Sequence, residues 1–180
     1  MILCDGEIKK LIRSGVIEIT PFEERLVNPT SLDYRLGRTF GEVYRHGDYI
    51  DPSDKESFTT IYQEADSYGL PPGGFVVACS LESISLPNFI SAYAIGKSSL
   101  GRLGLQSSTP FAGWIDPGFS APSLTLELFN ASQNMILLKA GMKIGQYIFC
   151  LHHQAEKPYG SEGVGRYQGQ LPGTGSKGID

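Results

Sequence analysis

The chain has 180 residues, enough for one domain around one core, and its 41% hydrophobic and 19% charged residues set it apart from disordered sequences. No apolar run is long enough to cross a bilayer as a helix, and a formal net charge of −4 argues against an extended nucleic-acid surface while leaving room for a small basic pocket. The N-terminus, MILCDGEIKK, has no charged stretch leading into an apolar core and cleavage site, so no secretory leader is expected and the cytoplasm is the expected location.

Asp5 is placed to cap a first helix, with Ile8, Leu11 and Ile12 at helical spacing and Gly15 near its end. Residues 16–19 alternate as a short strand that Thr20-Pro21 ends, and Pro29 to Gly37 (PTSLDYRLG) leads into another. Residues 45–69 are polar and turn-rich, with RHGDYIDPSDKES (Arg45–Ser57) read as a loop or excursion. LPPGGFVVACSLESISLP reads as a turn followed by strands, and Ile90 to Gly96 as one more. Ser123 to Phe129 alternates cleanly: Leu124, Leu126 and Leu128 are expected on one face, Thr125, Glu127 and Phe129 on the other. NMILLKAGMKIGQYIFCLH gives two strands around Lys139-Ala140-Gly141. The tail is rich in glycine and lacks periodicity, which fits either a plain disordered end or a lid. Many short strands, 22 glycines, 11 prolines and one small helix predict a mainly-β protein, a distorted barrel or jelly-roll-like sandwich, in a single domain spanning 1–180.

Common nucleotide and metal signatures are missing. The sequence has neither GxxxxGK[ST] nor GxGxxG between a strand and a helix, and no HExxH. The cysteines are Cys4, Cys79 and Cys150, too widely spaced for a CxxC knuckle, and Cys79 and Cys150 lie in apolar runs expected in the core. With His46, His152 and His153 as the only histidines, the H-x-E and P-C-x-x-C set of the zinc deaminases cannot be assembled, so a zinc-bound hydroxide is not expected.

Three segments carry chemistry. GKSSLGRLGL (residues 96–105) offers Lys97, Ser98, Ser99 and Arg102 with glycine-flanked backbone donors, an arrangement suited to phosphate oxygens, although a polar turn between strands has the same composition. Glu127 stands inside an apolar strand. It faces solvent on an amphipathic strand, or it sits desolvated with a raised pKa suited to proton transfer. In AGWIDPGF (residues 112–119), Asp116 either starts the Pro117-Gly118 turn or presents a carboxylate to a sugar hydroxyl.

In order, GKSSLGRLGL, AGWIDPGF, LTLELFN, GMKIGQ, PYG and YQGQ, preceded by LCDGEI and PTSLDYRLG, resemble the dCTP deaminase branch of the trimeric dUTPase-like family over nearly the whole chain. GKSSLGR fits any member of that superfamily, whereas the strand glutamate and the N-terminal helix with SLDYRLG point to the deaminases. The resemblance implies a homotrimer of distorted β-barrels with sites between subunits, and deamination without zinc. It implies Glu127 as the base that deprotonates water, Ser98 and the Ala112 carbonyl as the groups that position that water, and Arg102 as the stabiliser of developing charge. Asp116 would hold the deoxyribose 3′-hydroxyl. Lys97, Ser98, Ser99, Leu100, Gly101, Arg102, Thr125, Leu126, Gln146, Tyr159, Arg166 and Gln170 would surround the nucleotide. Magnesium would travel on the triphosphate, residues 159–180 would close over the site, and dTTP is a candidate inhibitory ligand. Ala112-Gly113 resembles the bifunctional members, which carry dUTP on to dUMP and pyrophosphate. The loop Gln106–Asp116 lacks the family's His-x-Thr-Ala-Gly pattern, and FSAPSLTLEL replaces a simpler glycine turn; Pro110 and Pro122 stiffen the two places. These changes bear on substrate choice or are neutral variation. Rival readings are a dUTP diphosphatase in which Asp116 is the base and Glu127 incidental, a non-catalytic nucleotide-binding regulator on the same scaffold, and, more remotely, a carbohydrate-binding barrel.

Overall fold

The computed structural model describes residues 1–107 and 113–179. Helix α1 (Asp5–Arg13) opens the chain. Its cap is Cys4 rather than Asp5: the Cys4 N–H donates to the Glu7 carboxylate at 3.0 Å, and Asp5 instead adds charge to the first turn, where the helix dipole favours it. Ile8 is buried, Leu11 and Ile12 pack on the core, and Lys10 and Arg13 face outward.

The strands follow as β1 (Glu18–Thr20), β2 (Val27–Asn28), β3 (Ser31–Arg45), β4 (Phe58–Glu64), β5 (Ser67–Leu70), β6 (Phe75–Ser80), β7 (Ser83–Ser85) and β8 (Ile90–Gly96). A one-turn helix α2 (Ser98–Gly101) precedes β9 (Leu105–Ser107), β10 (Trp114–Ile115), β11 (Ser120–Ala121), β12 (Thr125–Asn130), β13 (Ile136–Lys139) and β14 (Lys143–Leu151). The main sheet runs β10-β8-β14-β3-β6-β12-β9, with β2 and β4 also paired to β3. It curls into a half-barrel, and two smaller sheets, β1-β7-β11 and β13-β5, complete the strand set. The mainly-β expectation holds. Among the described residues no helix is long and apolar enough to cross a membrane.

The excursion expected at Arg45–Ser57 lies between the end of β3 at Arg45 and the start of β4 at Phe58, and the two strands pair from Arg45↔Phe58 back to Thr39↔Glu64. The β-branched and aromatic residues of FTTIYQE suit a half-exposed strand, but their polar partners blur the alternation. Gly41 makes this pairing possible: a Cβ there would come within 2.3 Å of the Tyr62 ring. The two strands expected around Lys139-Ala140-Gly141 form, and each finds its partners elsewhere: β13 pairs with β5, and β14 lies between β3 and β8.

The core lies inside the curl. Tyr34 and Tyr147 meet at a tilt, 4.5 Å between centroids, and Phe40, Phe149, Leu126 and Leu128 are buried with them in the core. The cysteines are free; Cys79 is buried, Cys150 half-buried and Cys4 exposed. Two charged knots stiffen the sheet. Glu82, 1% exposed, takes Nε and the backbone N–H of Arg35, whose guanidinium also bonds Glu23. Asp33, 2% exposed, takes Lys97 at 2.5 Å, Lys143 at 3.0 Å and Asn28 at 2.8 Å.

Candidate functional site

Strand β12 places the central carboxylate. From Thr125 on, alternate residues face opposite ways: Leu126, Leu128 and Asn130 enter the core, while Thr125, Glu127 and Phe129 remain half-buried on the other face. Leu124 precedes the strand and departs from the expected pattern. It is half-buried and borders the cavity that Glu127 lines. Leu126, expected beside the nucleotide, is 0% exposed, so its side chain belongs to the core and only its backbone is available.

Glu127 pairs across the ladder with Val77. Both line a cavity of about 410 Å³ walled by Phe75, Ile115, Phe119, Leu124 and Trp114. This apolar setting desolvates the carboxyl and raises its pKa to about 7, against a weaker opposing pull from a backbone hydrogen bond. Among the described residues no cation pairs with it.

Asp116 lines the same cavity from the end of β10, exposed, with the Trp114 indole N–H donating to Oδ1 at 2.8 Å. Asp116 and Glu127 are the acidic residues on the cavity wall. Among the described residues no group of three or more His, Cys, Asp or Glu gathers in a metal-holding cluster.

The tail supplies the roof. Tyr159, Tyr167, Gln170 and Thr174 to Ser176 line the cavity. Gln168 accepts from the Ser120 N–H and donates to the Gly118 carbonyl, the Gly169 N–H reaches the Ser120 carbonyl at 2.8 Å, and buried Gln170 donates to the Ser123 carbonyl. The Tyr159 hydroxyl accepts the Tyr167 N–H at 2.8 Å, and its ring meets Phe119 at 5.5 Å. Gly118, at φ +86°, makes room for this passage: a Cβ would stand 2.8 Å from the Tyr159 carbonyl oxygen. Arg166 points elsewhere, its guanidinium on the Gly178 carbonyl, and does not line the cavity. Tyr167, between Arg166 and Gln170 and not among the expected site residues, does.

The GKSSLGR segment is apart from Glu127 within one chain. Gly96, Lys97, Ser98, Gly101 and Gln146 line a second hollow of about 450 Å³ that shares no residue with the first. Ser98, Ser99 and Arg102 are exposed and Leu100 is half-buried. Lys97 is committed to Asp33, whose burial alone would raise its pKa, but bonds from Lys97, Lys143 and Asn28 outweigh desolvation and hold the carboxyl below the usual carboxylate range. Gln146 accepts the Ser31 hydroxyl at 3.1 Å. The Gly113 carbonyl accepts the Ala94 N–H at 2.7 Å, whereas Ala112 and Pro110 lie outside the described residues.

These features define a mainly-β protein with a tail-roofed cavity built on a desolvated carboxylate, and with a separate exposed cationic loop. The sequence model of the dCTP deaminase-like family matches residues 2–152. A Corynebacterium efficiens protein named dCTP deaminase, dUMP-forming, is 44% identical over 99% of this chain and 94% of its own. A Thermobifida fusca protein of the same name is 45% identical over 98% of this chain and 92% of its own. The solved 2′-deoxycytidine 5′-triphosphate deaminase from Agrobacterium tumefaciens matches 84% of this chain with a TM-score of 0.63 at 25% identity; the chain spans 48% of that protein's length. The chain belongs to the dCTP deaminase-like family.

Proposed function

We propose that this protein deaminates dCTP and carries the product on to dUMP and pyrophosphate, in the cytoplasm, as a step of pyrimidine deoxyribonucleotide supply. The observation that carries the reading is Glu127: a carboxyl with a pKa raised to about 7 by burial in an apolar cavity, able to take and return a proton near neutral pH. Relatives named dCTP deaminase, dUMP-forming, support the substrate and product.

In this reading Glu127 removes a proton from water as the water oxygen bonds to C4 of cytosine. The protonated carboxyl then gives its proton to the exocyclic nitrogen, the C4–N bond breaks and ammonia leaves, while the remaining proton of the new C4 hydroxyl passes to N3, leaving C4 as a carbonyl and N3 protonated as in uracil. Desolvation serves both halves: a carboxyl half-protonated near pH 7 is a competent base and then a competent acid. Ser98 and the Ala112 carbonyl position the water, and Arg102 offsets the negative charge that develops around C4 and Glu127. Asp116 takes the 3′-hydroxyl. Thr125, Tyr159 and Gln170 border the nucleotide, with backbone contributions from Leu126, Leu100 and Gly101, and Lys97, Ser99, Gln146 and Arg166 serve the phosphates from outside the Glu127 cavity. In the second step, water adds to the α-phosphorus and the bond to the β-bridging oxygen breaks, releasing pyrophosphate; the small Ala112-Gly113 pair leaves room for that water.

With no group of three or more His, Cys, Asp or Glu gathered among the described residues, magnesium carried on the triphosphate, where it would neutralise phosphate charge, suits this site better than magnesium held in a protein cage. Because Ser98 and Arg102 line no part of the Glu127 cavity in their own chain, our reading places them in a neighbouring copy's cavity, which calls for a homotrimer with shared sites. Residues 159–180 act as the lid, and dTTP competes for the same cavity.

The test is a product assay with dCTP and Mg²⁺, resolving nucleotides and measuring ammonia. Formation of dUMP with stoichiometric ammonia and pyrophosphate is expected. A dUTP product would remove the second step. Cleavage of dUTP without turnover of dCTP would leave a diphosphatase, with Asp116 as base, and binding without turnover of either would leave a regulator.

A further inference from the structure

The protein's one tryptophan stands at the cavity wall with no part in the chemistry above. Trp114 and Asp116 flank buried Ile115, and all three line the cavity. The indole N–H donates to Asp116 Oδ1 at 2.8 Å. Trp114 is the ladder partner of Tyr93, and the two rings meet edge to face with centroids 4.6 Å apart. The indole is thus fixed from behind and aimed forward. An indole is a donor only, so it orients one oxygen of a carboxylate that lines the cavity and leaves the other, which takes no further bond among the described residues, open to a ligand.

We propose that Trp114 is a positioning residue that fixes the Asp116 carboxylate for the sugar, and so sets how strongly the site discriminates nucleotides that carry a 3′-hydroxyl from those that lack one. The inference rests on the reading of Asp116 as the 3′-hydroxyl acceptor. It adds the group that aims this acceptor. The ring stands 45% exposed at the cavity wall, and its indole N–H is spent on Asp116.

The test compares Glu127→Gln with Trp114→Phe/Glu127→Gln protein, in which turnover is blocked, by calorimetric titration with dCTP and with 2′,3′-dideoxycytidine triphosphate. Phenylalanine keeps an aromatic ring on Tyr93 and removes only the donor. The dissociation constant for dCTP should rise about tenfold on losing a bond to a charged group, with that for the dideoxynucleotide moving less than about twofold. Equal losses for both nucleotides would reduce Trp114 to a packing residue and overturn the proposal. A second readout needs no nucleotide: the single indole N–H resonance should shift upfield and exchange faster with water in Asp116→Asn protein, and an unmoved resonance would refute the bond. Protein that shows this discrimination and bond yet releases no ammonia from dCTP would refute the proposed function and leave the positioning role standing.

Discussion

Replacing Glu127 by glutamine should stabilise the protein while abolishing deamination, and the size of the gain depends on pH in a calculable way. Raising a carboxyl from 4.5 to about 7 costs its ionised form about 3 kcal/mol, at roughly 1.4 kcal/mol per unit. Because the folded value lies above the unfolded one, folding takes up a proton. The corresponding stability is complete below about pH 4.5 and is lost as pH rises through about 7. Between about pH 5 and about pH 8, wild-type protein should therefore lose about 2.5 kcal/mol that the glutamine variant retains. A cation brought in by a neighbouring copy would pull the carboxyl back down, so the comparison is made in an Arg102→Ala background as well as in wild type. The assay is urea unfolding at matched protomer concentration at both pH values, for all four proteins. The full difference is expected with Arg102 removed, and a smaller one with it present. A difference that changes by less than about 0.5 kcal/mol with pH in the Arg102→Ala background would refute the desolvation argument and leave Glu127 as an ordinary surface carboxylate.

Leu126→Ala should cost about 2–5 kcal/mol in unfolding experiments, as expected for a fully buried leucine, and leave KM for dCTP within about twofold, since its side chain faces the core. Asp33→Asn should destabilise by about 3 kcal/mol by leaving Lys97 and Lys143 side by side without their counter-ion, and the loss should shrink at high salt. Asp33 has a lowered pKa, so its contribution is present above the usual carboxylate value and fades as pH falls through the folded one; the asparagine variant should lack that acid-side fall. Gly118→Ala, which strains a φ of +86° and pushes on Tyr159, should loosen the tail, seen as faster proteolysis after residue 158 and a raised KM with the barrel's melting temperature little changed.

The strands that position Glu127 were legible because each side of β12 meets one environment: leucines into a core, Thr125 and Glu127 into a cavity, so the period of two is undiluted. Strand β4 was not, because Phe58, Thr60 and Tyr62 are half-buried while Ile61 is exposed, and a sheet edge with mixed solvation carries no clean alternation. The site residues were legible by type and only partly by place. Glu127, Asp116, Thr125, Tyr159 and Gln170 do share one cavity, while Lys97, Ser98, Gly101 and Gln146 share another. Sequence spacing cannot reveal that division, since it depends on which face of the curled sheet each loop leaves. The pairing of Leu128 with Ser107 makes the geometry concrete: Ser107 borders the second hollow on the core side of β12, and Glu127 looks out from the opposite side. Tyr167 and Trp114 had no signal beyond being aromatic near other candidates; their roles come from a tail contact and a cross-strand contact.

That division into two half-sites leads to a decisive mixing experiment. If Glu127 of one copy works with Ser98 and Arg102 of the next, Glu127→Gln protein keeps intact cationic loops and Arg102→Ala protein keeps intact carboxylates, although each alone is inactive. Unfolded together and refolded at equal ratio, the two should form mixed rings. A site is whole only where a copy with Glu127 meets, in the right direction, a copy with Arg102. In a cyclic assembly with random mixing this happens at about a quarter of the sites, so about a quarter of wild-type ammonia release should return. Complementation within a single chain is impossible, because every chain in the mixture carries one defect. Recovery near that fraction, with the mass of a trimer in solution, would establish the shared site. No recovery from a mixture shown by mass to contain both variants in one assembly would return Arg102 to its own chain, and would require the cationic loop to move across the sheet to reach the carboxylate that the fold holds on its other side.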